Sequence, residues 1–135
     1  MYDCLLIVRK RKKIQILEEF NKCDKDLKWT LEEIENGKLT YIYNDITLEE
    51  STLNLYQHRK PNSDSLTNYK FAVAPKAYKI GLIDGAVHRA NNCTSNEKAL
   101  GVALEKLENI LHKNSYPENI IKEKIQEIKK YNFWI

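Results

Sequence analysis

The period of the hydrophobic pattern changes once along this chain, and that change constrains the fold more than any other feature. Before residue 60, apolar residues come in short runs or alternate with polar ones. After Pro75 they return at helical spacing. Side chains alternate across a strand and repeat every 3.6 residues along a helix, so strands are expected first and helices afterwards.

The first segment begins with Cys4 to Val8, short, apolar and bounded by charge, which predicts a strand. From Lys12 to Cys23, Ile16, Leu17, Phe20 and Cys23 lie on one face of an amphipathic helix, with Glu18, Glu19 and Lys22 opposite. Asp24-Lys25-Asp26 ends it. Leu27, Trp29 and Leu31 then alternate with polar residues, predicting a strand with one buried face. Asn36-Gly37 is a strong hairpin signal, because both residues tolerate positive φ. Leu39 to Leu48 reads as the next strand, Glu49 to Thr52 as a turn, and Leu53 to His58 as a further strand. The expectation is a β–α–β–β–β unit over 1–60, its last three strands an antiparallel meander.

Pro61, Asn62, Ser63, Asp64 and Ser65 mark 61–74 as a linker loop. The segment 75–135 is expected to be a three-helix bundle. Ile80, Ile83, Val87 and Ala90 form one stripe, with Gly81 and Gly85 weakening that helix unless another backbone packs closely. Thr94-x-x-Glu97 reads as a capping box before Leu100, Leu104, Leu107 and Leu111; Ser115-x-x-Glu118 reads as a second one before Ile121, Ile125 and Ile128. The fold class is therefore α+β.

At 135 residues, with 42% hydrophobic and 30% charged residues, the chain suits one or two small packed units rather than a disordered tail. The apolar run at 4–8 falls far short of the roughly 20 residues a membrane helix needs. No secretory leader is visible at Met1-Tyr2-Asp3, so an intracellular location (nucleus or cytoplasm) is expected. Cys4, Cys23 and Cys93 are few, odd in number and far apart, which predicts free thiols. His58, His88 and His112 have no zinc-like spacing to any of them, so neither a metal nor a cofactor is expected.

Catalytic signals are poor. The chain has no Gly-rich phosphate loop and no nucleophile with an evident base; Asp3 is the leftover candidate metal ligand, and Asp45 reads as a surface residue. The net charge of +3 is small, and its distribution is more informative: the five-cation block at 9–13 reads either as a solvated loop or helix start or as a contact for phosphates. The candidate nucleic-acid contacts are Arg9, Arg11, Lys12 and Lys13 in an unbroken basic run, then Arg59, Lys60, Lys79 and Arg89. Tyr41, Tyr43, Tyr56 and Tyr69 are interleaved with them and are candidates either for stacking on bases or for ordinary packing.

The order of these features carries a resemblance. Met1 to Val8 looks like the tail of the tyrosine-x-Asp-Asp box of reverse transcriptases. Glu35 to Ile46 resembles the segment that follows it in Penelope-like retroelements, where an asparagine–glycine turn leads into a strand. Tyr56-Gln57-His58-Arg59-Lys60-Pro61 is similar to that group's "Tyr-Arg-Lys-Pro" strand end. Lys79 to Ile83 with His88-Arg89-Ala90 resembles its first thumb helix, and Asn114-Ser115-Tyr116-Pro117 its "Asn-Gly-Tyr-Pro" turn. The resemblance implies a truncated, degenerate piece of an RNA-directed DNA polymerase, the end of the palm plus the thumb. It also implies that this piece borders a primer–template duplex.

Departures from the pattern bear on catalysis. Tyr2 stands where the first aspartate of the box belongs, and Tyr43-Asn44 replaces an Asp-Leu pair. One carboxylate cannot hold two magnesium ions, so the isolated chain is expected not to be an enzyme. Two function classes stay open: a weak, sequence-independent binder of RNA or DNA duplex, or a protein-interaction module. An exposed edge at Cys4–Val8 would favour homo-oligomers in either case.

Overall fold

The computed structural model describes residues 3–60 and 64–131. Residues 1–2, 61–63 of the expected linker and 132–135 of the expected bundle segment lie outside the described residues. The fold is α+β. A 3₁₀ turn at Lys10–Lys12 leads into α1 (Lys13–Cys23); β1 (Lys38–Tyr41), β2 (Asn44–Glu49) and β3 (Thr52–Gln57) follow; α2 (Lys76–Asn92), α3 (Glu97–Lys113) and α4 (Glu118–Tyr131) complete it. Among the described residues no helix is long and apolar enough to cross a membrane.

The antiparallel meander forms, in the order β1-β2-β3, but from other residues than the alternation indicated. The stretch Leu39–Leu48 is folded in two: Tyr41 pairs with Asn44, leaving Ile42 and Tyr43 as a two-residue loop. Ile42 has φ 55, a costly conformation for a β-branched residue. The turn after β2 is also a two-residue loop, with Glu50 and Ser51 both at positive φ between the paired Glu49 and Thr52. Asn36 and Gly37, also both left-handed, close a small turn in which Glu35 and Lys38 exchange backbone hydrogen bonds.

Two expected strands are absent from the sheet. Cys4–Val8 forms no regular element and has no ladder partner, and Leu5, Leu6, Ile7 and Val8 are exposed. Its apolar run has no neighbouring strand to pair with, so composition alone does not make it a strand. Leu27–Leu31 joins no ladder either; at Trp29 its partner is a side chain. Asn21 of α1 accepts from the Trp29 amide at 2.7 Å and donates to the Trp29 carbonyl at 3.2 Å, while Phe20 meets Trp29 edge to face at 5.2 Å. One asparagine thus satisfies both backbone groups of Trp29, which a strand would have offered to a ladder.

The core sits among the last three helices. Ile83, Val87 and Ala90 of α2, Leu100, Leu104, Leu107 and Leu111 of α3, and Ile121, Ile125 and Ile128 of α4 are all buried. The helix ends differ from the expected capping boxes. Asn96 caps α3, accepting from the Ala99 amide at 2.8 Å, whereas the Thr94 hydroxyl turns back to the Ala90 carbonyl at 2.9 Å. Ser115 does not start α4; it ends α3 at φ 62. Its amide bonds the His112 carbonyl and the Tyr116 amide bonds the Leu111 carbonyl, the paired bonds of a Schellman termination.

Residues 64–74 are a strap on the bundle rather than a free linker. Tyr116 donates its hydroxyl to the Thr67 carbonyl at 3.0 Å, the Tyr69 amide bonds the Asn114 carbonyl at 2.9 Å, and Leu66 and Tyr69 pack on the core. Burial pushes the Tyr116 hydroxyl above its ordinary range, with Tyr69 and Tyr78 adding to the push, so it remains a donor.

A side chain at Gly81 or Gly85 would meet nothing within 4 Å, so no backbone packs closely there. The double variant Gly81→Ala/Gly85→Ala is expected to stabilise the protein by about 1–2 kcal/mol. Urea unfolding followed by circular dichroism measures it; an unchanged or lower midpoint would contradict the open space seen around α2.

Candidate nucleic-acid interface

The basic residues singled out from the sequence do not lie on one element, and the structure sorts them by what holds each. Arg9 precedes, and Lys10 to Lys12 form, the exposed 3₁₀ turn before α1, which has no side-chain cap, while Lys13 is taken by Glu33 at 2.6 Å. Cations at a helix start oppose its dipole, which favours negative charge there. Asp3 is exposed, and its carbonyl accepts from the Tyr41 hydroxyl at 3.3 Å. Lys79 is withdrawn from any interface: it is buried, donates to the Tyr69 carbonyl at 2.6 Å and stands over the Tyr69 ring at 5.4 Å. Tyr69 itself tilts against Tyr116 at 5.2 Å, so this tyrosine packs rather than stacks on a ligand.

Arg59, Lys60 and Arg89 remain, and the fold brings the two arginines together. Arg59 leaves the end of β3 half-buried, with its Nε enclosed and without a hydrogen-bond partner. Burial pushes its guanidinium below the usual range; the charge of Arg89 adds to that, and Asp64 opposes it. Asp64 is itself held by Lys113 at 3.0 Å. Arg89, exposed in the last turn of α2, lies over the Tyr43 ring at 5.7 Å. Tyr43 is 60% exposed on the strained Ile42–Tyr43 turn. The result is a surface of one aromatic ring and two guanidiniums that repel each other. A planar fork of donors beside an exposed ring suits a phosphate and its neighbouring base or sugar.

Asp45 and His58 meet across β2 and the end of β3. Asp45 is far from the simple surface residue its sequence context indicated: its side chain is 14% exposed and meets Lys38 at 2.7 Å, Thr40 at 2.7 Å and His58 at 2.9 Å. Partial burial raises its carboxyl, but hydrogen bonds from Lys38 and Thr40 and the charges of Lys38 and His58 outweigh this and hold it below the ordinary value. The other sheet tyrosines are engaged locally, Tyr41 as described and Tyr56 through Glu49 at 3.2 Å. Cys4 and Cys23 are exposed free thiols, and Cys93 is a half-buried one.

Residues 67–126 match the model of a family described as the animal helix-turn-helix domain. The match runs from the strap through α2 and α3 into α4, so it coincides with the unit that holds the core. No curated protein and no solved structure matches the chain.

Asp45→Asn is expected to cost about 1–2 kcal/mol at neutral pH, from lost charge-assisted bonds. Its folded-state pKa is depressed, so the wild-type advantage is present above the unfolded value near 4 and disappears as pH falls through the folded value. Stability curves for both proteins between pH 7 and pH 2.5 should converge at the acid end; parallel curves would contradict this assignment.

Proposed function

We propose that the chain binds the backbone of duplex nucleic acid, with α2–α4 and the Tyr43–Arg59–Arg89 surface as the contact. The observation that carries this reading is the similarity of residues 67–126 to a helix-turn-helix family. Helix-turn-helix units place one helix in a groove while neighbouring elements hold phosphates. Connections of the right kind are present: the short segments between α2 and α3 and between α3 and α4 keep three contacting helices around one core.

The finer reading is a palm-and-thumb remnant similar to Penelope-like reverse transcriptases, repurposed or part of a larger polymerase. Two features support it. The helices fall where the resemblance puts a thumb, and Ser115 has φ 62 where the family's turn carries glycine, the residue such a backbone favours. On this reading the chain grips a hybrid duplex without performing chemistry, since Asp3 alone is not a two-metal centre.

A second reading rests on a separate observation. Leu5, Leu6, Ile7, Val8, Ile14, Leu27, Leu31 and Ile34 are all exposed, so residues 5–34 offer apolar surface to a protein partner.

Fluorescence anisotropy with a labelled RNA–DNA hybrid tests the first reading. Wild type should bind with micromolar or weaker affinity that falls as salt rises. Arg59→Ala/Arg89→Ala should weaken binding about tenfold or more and reduce the salt slope by about two. The Arg9/Arg11/Lys12/Lys13→Ala variant should lose less per cation removed. No binding by wild type at low salt would sink the proposal and leave the protein-partner reading.

A further inference from the structure

The turn between α3 and α4 gathers three side chains that no nucleic-acid role uses. Glu108 and His112 stand one helical turn apart on α3, and Glu118 opens α4. His112 Nε2 lies 3.1 Å from Glu118 Oε2 and 3.8 Å from Glu108 Oε1, and the three candidate ligand atoms are all within 4.8 Å of one another. We propose that Glu108, His112 and Glu118 form a binding site for a divalent transition ion of the zinc type, which would tie α3 to α4 across their turn.

The distances suit the ion. A tetrahedral zinc with ligands at about 2.0–2.1 Å separates its ligand atoms by about 3.3–3.4 Å, and the observed pair distances of 3.1 and 3.8 Å bracket that value. The donor set of one imidazole and two carboxylates, with a fourth position left to water, suits zinc better than magnesium or calcium, which take oxygen ligands in larger number. The frame is also set in advance. Glu108 and His112 share a helix face, and the left-handed Ser115 with its paired backbone bonds fixes where Glu118 arrives. The end of α3 presents carbonyl groups, so a cation is favoured at this end of the helix.

A competitor is already in place. The Lys122 ammonium holds Glu118 at 2.8 Å, and its hydrogen bond keeps the Glu118 carboxyl below the usual range. It bonds Oε1 rather than the Oε2 that faces His112, so an incoming ion meets its positive charge without having to displace it. Removing that ammonium should therefore tighten binding, an outcome that mere surface ion pairing does not produce.

The experiment is isothermal titration of the full 135-residue chain with zinc chloride, in wild type and in a Cys4→Ser/Cys23→Ser/Cys93→Ser background. The background removes thiol ligands. One equivalent of zinc should bind in both, and it should shift the His112 ring resonances in NMR spectra. His112→Ala and Glu118→Gln should each weaken binding at least tenfold, while Lys122→Ala strengthens it severalfold; circular dichroism confirms that each variant is folded. Magnesium should not compete. Zinc binding that survives His112→Ala, that vanishes with the cysteines, or that is absent from wild type would overturn the site. The result is independent of nucleic-acid affinity.

Discussion

The sheet is fastened to the bundle by a hydrogen-bonded meeting of β3 with the turn between α2 and α3, and the position of the candidate interface depends on it. The Ser95 amide donates to the Leu55 carbonyl at 3.2 Å, and the Leu55 amide donates to the Ser95 hydroxyl at 2.9 Å. One serine thus occupies the outer edge of β3. Asn44 donates to the Cys93 carbonyl at 2.7 Å, and Asn96 bonds Asn54 at 2.8 Å while capping α3. A bare edge strand would expose unpaired backbone groups. Here the same four-residue turn covers that edge, starts a helix and brings the Ile42–Tyr43 loop beside Arg89.

The opposite end of the bundle uses the same economy. Asn114 closes α3, donates to the Asp64 carbonyl at 3.1 Å and accepts from the Tyr69 amide; Tyr116 reaches Thr67. The strap is therefore held over Asp64–Tyr69, and Lys79 is spent on it through the Tyr69 carbonyl. β3 is tied at Leu55 and the strap at Asp64, on either side of Arg59.

Much of the bundle was legible because each helix carries its apolar residues at one spacing: Ile83 with Val87, Leu100 with Leu104 and Leu107, Ile121 with Ile125 and Ile128. The Asn36-Gly37 turn was legible because its two residues are chemically suited to positive φ. The Ile42–Tyr43 turn was not, since isoleucine and tyrosine are good strand formers and the bend is imposed by pairing in three dimensions. Capping boxes misled for a related reason. Thr94 and Ser115 have the right spacing, but each was claimed by the end of the preceding helix. At the interface, the arginines and Tyr43 were identifiable singly, but their convergence was not. The Glu108–His112 spacing was visible in α3, whereas Glu118 joins it only through the turn.

Electrostatics decides which cations are informative about use. An exposed run such as Arg9 to Lys12 costs little to maintain, because water and salt screen it, and so it says little about a partner. Arg59 is different. Its guanidinium is half desolvated, one of its nitrogens is enclosed without an acceptor, and the charge that acts on it from Arg89 has the same sign. Each of those terms opposes folding, and the acid that relieves them, Asp64, is shared with Lys113. An anion lying against Arg59 and Arg89 would offset the repulsion between them. A phosphate of a nucleic-acid backbone has the charge and the oxygens to do so, and the exposed Tyr43 ring beneath Arg89 gives the adjoining sugar or base a surface to rest on. The energetic strain in the free protein and the chemistry of the proposed ligand thus meet on the same two arginines.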